Sequence, residues 1–160
     1  MLGGFVNDWV IQITGSRRWG RSLVGFTGKF IACALMFVAI SQDNGVAAAW
    51  ALFAVKFFSD WSQPTVWGTC TDIGGRYAAT IFGVINTSGS IGGIIGPPLF
   101  GYILDMNTTK EIVDDVVISS IANYNPLFMT VASLYMISAL CWLLTDCTES
   151  LESRLESGDL

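Results

Sequence analysis

Residues 23–40 read LVGFTGKFIACALMFVAI and contain one charged side chain, Lys29. An α-helix rises about 1.5 Å per residue, so this run is just long enough to cross a hydrocarbon layer of about 30 Å. The turn-forming sequence SQDNG at 41–45 follows the run and ends it. The stretch therefore predicts a transmembrane helix and an integral membrane protein.

Three further apolar runs follow toward the C-terminus, at 46–70, 78–104 and 126–145. The second half of 46–70 is mixed in polarity, whereas 126–145 is uniformly apolar. The predicted fold class is all-α, a polytopic membrane protein with four transmembrane helices. The remaining segments are predicted to be a cytoplasmic loop at 1–22, an exterior loop at 105–125 and an acidic cytoplasmic tail at 146–160.

The composition supports a membrane protein and argues against several other classes. Apolar residues make up 52% of the chain, charged residues only 13%, and the mean hydropathy is +0.55. Such a chain is too apolar to be disordered. A net charge of −5 without a basic stripe argues against nucleic acid as a partner. The chain has no histidine, and its cysteines are widely spaced. We therefore expect no enzyme activity, no metal and no cofactor.

Positively charged residues predict the orientation in the membrane. Five arginines fall on the side of the two termini, and Lys110 alone falls on the other side. The five are Arg17, Arg18, Arg21, Arg76 and Arg154. Because loops rich in lysine and arginine stay in the cytoplasm, both termini are predicted to be cytoplasmic. We expect a plasma or inner membrane protein.

The second span contains the most informative pair of charges. Lys56 and Asp60 lie four residues apart, so they share a helix face. A charge near the middle of a membrane costs roughly 2.5–3.5 kcal/mol. Three interpretations are open: a structural ion pair, an anion-binding lysine in a transport path with Asp60 as its partner or proton-coupled group, or a lysine that snorkels to the interface. Snorkelling suits Lys29 better. Gln63, beside the helix-interrupting Pro64, is expected to line the same cavity.

The third span is rich in glycine. Two overlapping G-x-x-x-G patterns are formed by Gly89, Gly92, Gly93 and Gly96. Such glycines let another helix approach closely, which predicts helix packing. The sequence Gly-Pro-Pro that follows also predicts a kinked segment in a protein that moves. Asn86 and Thr87 precede the glycines, and we assign them with Lys56, Asp60 and Gln63 to the translocation path.

Two motifs resemble those of a known superfamily. Gly4-Phe-Val-Asn-Asp8, followed by Gly20-Arg21, resembles the cytoplasmic G-x-x-x-D…G-R loop of the major facilitator superfamily, with Trp9 in place of the usual basic residue. Residues 67–80, WGTCTDIGGRYAAT, are similar to the loop between the tenth and eleventh helices of its anion:cation symporter branch. The residues expected at a cytoplasmic gate are Asp8, Arg21, Asp72 and Arg76.

The resemblance implies helices nine to twelve of a twelve-helix carrier, within its C-terminal six-helix bundle. The second span would line the central cavity, and the first and fourth would face lipid. The implied function is secondary active transport of an organic or inorganic anion, sugar-acid-like or phosphate-like, by alternating access. The implied partners are the lipid bilayer, the anionic substrate, a coupling proton or sodium ion, and a missing N-terminal half.

Two sets of alternatives stay open. The chain is expected to be a gene fragment, the product of a mis-called start, or a genuine short protein. Its function is either transport, as part of a carrier, or that of a non-transporting four-span protein that packs with partners through its glycines.

Overall fold

The chain folds into helices joined by short turns, with one β-hairpin. The computed structural model describes residues 2–113 and 116–157. The helices are α1 Leu2–Thr14, α2 Arg17–Ile40, α3 Gly45–Trp61, α4 Gln63–Gly74, α5 Ala78–Met106, α6 Asn125–Leu144 and α7 Leu151–Ser157. The strands are β1 Thr108–Val113 and β2 Val116–Ala122. The predicted helical class is correct apart from this hairpin.

The segment 1–22, predicted to be a loop, is largely helical. Helix α1 fills most of it and ends at Thr14, and the next residue, Gly15, has a positive φ of 64° that suits a residue without a Cβ. Ser16 is extended, and α2 then begins at Arg17, ahead of the predicted start at 23. Hydropathy placed the start too late because arginine is a good helix former although it is not apolar.

The predicted second span, 46–70, is two helices. Helix α3 ends at Trp61, Ser62 is the cap residue, and α4 begins at Gln63. The hydroxyl of Ser62 donates to the carbonyl oxygen of Ser59 at 3.0 Å. Pro64 has no N–H, so it cannot continue the hydrogen-bond ladder of α3. We call residues 59–64 the α3–α4 break.

Helix α4 ends at Gly74, and its cap residue Gly75 has a positive φ of 52°. A single 3-10 turn, Gly75–Tyr77, leads into α5. Helix α5 continues through Pro97 and Pro98. The Gly-Pro-Pro sequence therefore does not end this helix, whose bounds exceed the predicted 78–104 by two residues at the C-terminal end.

Two segments that were predicted only as a loop and a tail contain regular secondary structure. In the predicted exterior loop 105–125, β1 and β2 pair antiparallel, with Thr108 opposite Ala122 and an irregular register between Glu111 and Ile112. Threonine, isoleucine and valine in β1, and valine and isoleucine in β2, favour extended backbone. The predicted tail 146–160 contains the short helix α7.

Helix α2 supplies most of the small core. Ala32, Cys33 and Met36 of α2 are buried together with Val55 of α3 and Ala132 of α6. The expectation that the first span faces lipid stays a prediction, and within the described residues α2 packs against both α3 and α6. The glycines and alanines of α2 explain this, because small residues let two helices approach from opposite sides.

Three stretches of the described residues are long and apolar enough to cross a membrane: Arg17–Ile40, Gly45–Met106 and Asn125–Leu144. The middle stretch has 62 residues, far more than the roughly 20 that one crossing needs. Many large apolar side chains on these helices are exposed, among them Phe53, Ile94 and Leu144. Apolar exposure on this scale suits lipid or a partner helix rather than water.

Candidate functional site

Lys56 and Asp60 form an ion pair on the open face of α3. The Nζ atom of Lys56 lies 2.7 Å from Oδ1 of Asp60. The two side chains are 72% and 49% exposed, so much of the pair lies open at the surface of the described chain. One helical turn separates the residues, so regular α3 geometry is enough to bring them together.

The pair lines a cavity of about 540 Å³. The other lining residues are Gly3 of α1, Phe53, Phe57 and Trp61 of α3, and Pro64 of α4. Cavities that bind small molecules are commonly of this size, mostly apolar, and supplied with a few polar groups. A lysine, a carboxylate and three aromatic rings therefore form a wall that could hold an anion with an apolar or ring-shaped body.

A second cavity, of about 830 Å³, lies between α4 and α5. Gln63 and Asn86 line it, together with Trp67, Gly83 and Gly89. Gln63 was expected in the same cavity as Lys56, but it begins α4 beyond the break, and there it points into the second cavity. Thr87 is exposed on α5 and lines neither cavity. The structure thus brings together Lys56 with Asp60, and Gln63 with Asn86.

Lys29 bonds the end of the neighbouring helix α3. Its Nζ donates to the carbonyl oxygen of Ser59 at 3.2 Å and to the Ser59 hydroxyl at 3.0 Å. The same Nζ lies 5.7 Å from the ring centroid of Tyr135 on α6. A carbonyl at a helix break is available as an acceptor, so Lys29 has a bonding partner among the described residues, and its snorkelling to the membrane interface stays a prediction.

The glycines of α5 contact no other helix in the described residues. A Cβ atom built on Gly89, Gly92 or Gly93 would meet no atom within 4 Å. One built on Gly96 would meet only the ring of Phe100, in the same helix. Packing through this face therefore stays a prediction about a partner outside the described chain.

Arg21 and Asp72, two of the residues expected at a cytoplasmic gate, are bonded to each other. Nε of Arg21 donates to Oδ2 of Asp72 at 2.6 Å, and the side chains are only 14% and 15% exposed. Gly68 lies directly under the guanidinium, where a Cβ atom would collide with it. The pair joins the first turns of α2 to the last turns of α4.

The other two expected gate residues lie apart from this pair. Arg76 contacts the carboxylate of Glu152 on α7 at 3.6 Å, and its guanidinium lies 5.0 Å from the Tyr77 ring centroid. Asp8 is exposed on α1 and takes part in none of the ion pairs found among the described residues. Arg21 therefore pairs with the second family-like motif, not with Asp8 of its own motif.

The start of the C-terminal tail contacts the first turn of α2. Arg18 lies 3.1 Å from Asp146. The hydroxyl and backbone N–H of Thr148 donate to Asp146 and, with Arg18, lower the pKa of its carboxyl. Cys147 is buried. Its burial, followed by the charge of Asp72, raises the pKa of its thiol.

The sequence analysis assigned no role to Ser59, Asp146 or Glu152. The sequence contains a pattern that could have indicated Ser59. Serines at 59 and 62 precede Pro64 in a span with a charged residue, which marks a helix break with available polar groups. No signal could have singled out Glu152 or Asp146 among the acidic residues of the tail, because the contacts they make depend on how the tail folds back.

The chain is similar to known transporters over most of its length. It is 34% identical over 113 residues to a probable sulfoacetate transporter of Cupriavidus necator, covering 69% of this chain and 26% of that protein. It is 30% identical over 146 residues to the chloroplastic ascorbate transporter of Arabidopsis thaliana, covering 88% of this chain and 23% of the relative.

A probable galactarate/D-glucarate transporter of Escherichia coli is 27% identical over 108 residues, which cover 65% of this chain and 23% of the relative. The chain thus spans about a quarter of the length of these curated relatives. No protein-family model matches it, and no solved structure matches it significantly.

Proposed function

The chain is a relative of anion and sugar-acid transporters, and we propose that it forms the last four helices of a major facilitator carrier that moves an organic anion across a membrane. The observation that carries the proposal is the Lys56–Asp60 pair on an aromatic cavity wall in an apolar helix. Ionisable side chains at such depth usually mark a substrate or ion pathway. Transport by this protein is therefore proposed, and catalysis is not.

Four crossings are proposed for the chain. The stretch Gly45–Met106 would cross twice, with α3 and α4 as one crossing and α5 as the return. The positive φ of Gly75 and the 3-10 turn that follows support a reversal there. Helices α2 and α6 supply the other two crossings. The arginine count then supports cytoplasmic termini in a plasma or inner membrane.

The proposed substrate site is the cavity at Lys56. Its ammonium would attract the anion, and the rings of Phe53, Phe57 and Trp61 would contact the rest of the molecule. A closed Lys56–Asp60 pair weakens the positive field that the substrate needs. Protonation of Asp60 would free the lysine, so a proton is one candidate for the coupling cation and sodium is the other. A sugar acid, a sulfonate or a phosphate all satisfy this chemistry.

The ion pairs near the arginine-rich segments suit a cytoplasmic gate. Arg21–Asp72 joins α2 to α4, and Arg76–Glu152 joins the α4–α5 turn to α7. In alternating access, such contacts must form in one state and break in the other. We propose that they close the cytoplasmic side when the carrier faces outward.

The proposal is tested with the complete carrier, by which we mean the product of the whole reading frame that contains this chain. Membrane vesicles holding it should take up at least one of three labelled anions: sulfoacetate, ascorbate or D-glucarate. Lys56→Ala should reduce that uptake at least tenfold at equal abundance in the membrane. Failure to transport any of the three, or full uptake by Lys56→Ala, contradicts the proposal.

The second candidate is a non-transporting membrane protein that associates through α5. The open face at Gly89, Gly92 and Gly93 favours it, because small residues at this spacing let a partner helix approach closely. In a complete carrier the missing half would occupy this face. Stable co-purification of the chain with a separate membrane protein, without anion uptake, would favour the second candidate.

A further inference from the structure

We infer that Lys29 is a positioning residue for the anion site, which holds the α3–α4 break in place and leaves the site with an excess positive charge. The inference rests on the proposed function. It concerns Lys29 of α2, whereas the proposed substrate-binding lysine, Lys56, belongs to α3.

The first observation is the set of bonds at Ser59. The carbonyl oxygen of Ser59 accepts from Lys29 Nζ at 3.2 Å and from the Ser62 hydroxyl at 3.0 Å. The Ser59 hydroxyl also accepts from Lys29, at 3.0 Å. Ser59 and Ser62 are buried. The last turn of α3 is thus fixed by the hydroxyl of Ser62, which directly follows this helix, and by the ammonium of Lys29 from α2.

The second observation is the close approach of the backbones at this point. A Cβ atom on Gly28 would lie 3.0 Å from the carbonyl oxygen of Phe58 and 3.5 Å from Cβ of Ser62. Glycine at 28 therefore lets α2 lie directly against the break, and Lys29 follows it in the chain. The ring of Tyr135 lies on the same ammonium from the side of α6. Three helices meet at Lys29.

The third observation is the position of Asp60. Asp60 follows Ser59 directly and bonds Lys56 one turn back. Any shift of the Ser59 backbone moves Asp60 and changes how Lys56 faces the cavity. Lys29 can therefore control the geometry of the substrate site without touching the substrate, which enters on the exposed side of α3.

The fourth observation is the charge balance. Lys29 bonds Ser59, which precedes Asp60 in the chain, so its ammonium lies close to the Lys56–Asp60 pair. Lys29, Lys56 and Asp60 together carry a net charge of +1. A closed Lys56–Asp60 pair alone is neutral, so Lys29 supplies the positive field that draws an anion while the pair is closed. Fields of this kind act strongly in an apolar layer, where the effective dielectric constant is low.

The test measures KM and Vmax separately in vesicles that contain the complete carrier. The substrate is whichever of sulfoacetate, ascorbate and D-glucarate the unaltered carrier transports. Lys29→Met should raise KM about tenfold, with Vmax per inserted molecule within about threefold, because a charge-assisted hydrogen bond and a nearby charge are both lost. Lys29→Arg keeps the charge and the donors, and should recover most of the affinity.

Two further variants separate positioning from simple stability. Ser59→Ala removes one of the two acceptors and should raise KM two- to threefold. Thr27→Val is the matched control and should leave KM unchanged, since among the described residues the Thr27 hydroxyl bonds only carbonyl groups of its own helix. If Lys29→Met inserts poorly into the membrane, the KM values of Ser59→Ala and Lys29→Arg, measured at equal abundance, decide between positioning and stability.

An unchanged KM in both Lys29→Met and Ser59→Ala overturns the inference and leaves the proposed function intact. If Lys29→Met loses both Vmax and abundance while KM stays unchanged, Lys29 has a structural role only, and this result also overturns the inference. A carrier that transports none of the three anions overturns the proposed function itself.

Discussion

Nε of Arg21 donates to Oδ2 of Asp72 at 2.6 Å, although the two residues are 51 positions apart in the chain. Each belongs to a different family-like motif, and neither side chain is more than 15% exposed. The contact ties α2 to the end of α4. Cys147 is also buried, and the charge of Asp72 raises the pKa of its thiol while that of Arg21 lowers it.

Breaking this pair should destabilise the cytoplasmic end. We expect Arg21→Ala to lower the free energy of unfolding by about 1–3 kcal/mol, because Asp72 keeps a half-buried charge without its partner. The double variant Arg21→Ala with Asp72→Ala should be more stable than Arg21→Ala alone. Thermal unfolding of the detergent-solubilised protein measures this. Additive losses in the double variant would show that the two residues do not stabilise each other.

Reactivity of Cys147 should report on the same region. Because its raised pKa lowers the thiolate fraction at any pH near neutrality, and because it is buried, alkylation at pH 8 should be at least tenfold slower than that of a free thiol. Asp72→Asn removes one cause of the raised pKa and should accelerate the reaction. The measurement uses a variant in which Cys33, Cys70 and Cys141 are serine. Alkylation as fast as that of free cysteine would contradict the burial.

The Lys56–Asp60 pair predicts a pattern among three variants of the complete carrier. If the pair is structural, Lys56→Ala should be damaging and the double variant Lys56→Ala with Asp60→Ala should recover much of the transport, because no unpaired charge remains. If Lys56 binds the anion, the double variant should insert normally and stay inactive. Uptake assays at equal abundance distinguish the two, and we expect the inactive double variant.

The open glycine face of α5 predicts sensitivity to larger side chains. Gly92→Leu and Gly93→Leu should reduce assembly and transport of the complete carrier, since a partner helix could no longer approach. Val84→Leu adds volume at another exposed position of α5 and serves as the control. Normal abundance and uptake in both glycine variants would mean that this face contacts lipid only.

The arginine count predicts the orientation. Asn123 is exposed between β2 and α6, so a cysteine placed there, in a background without the native cysteines, should react with a membrane-impermeant maleimide added outside intact cells. A cysteine at Ser153 in the tail should react only after the cells are opened. The reverse pattern would invert the proposed topology.

The sequence alone determined that this is a helical membrane protein, because crossing a membrane depends on length and hydropathy, which are local properties of the chain. It also predicted the face shared by Lys56 and Asp60, since the period of a helix fixes which residues are one turn apart. The helical segment at 2–14 and the hairpin at 108–122 were missed, because hydropathy does not detect helices outside a span or pairing between strands.

Only the tertiary structure decided where the remaining charges go. Lys29 bonds Ser59, Arg21 bonds Asp72 and Arg76 contacts Glu152. Each contact joins two helices whose separation and rotation are set by packing, such as the approach of α2 to α3 at Gly28. A one-dimensional pattern shows that a charge in an apolar layer needs a partner, and the partner is chosen by which helices meet and at what depth.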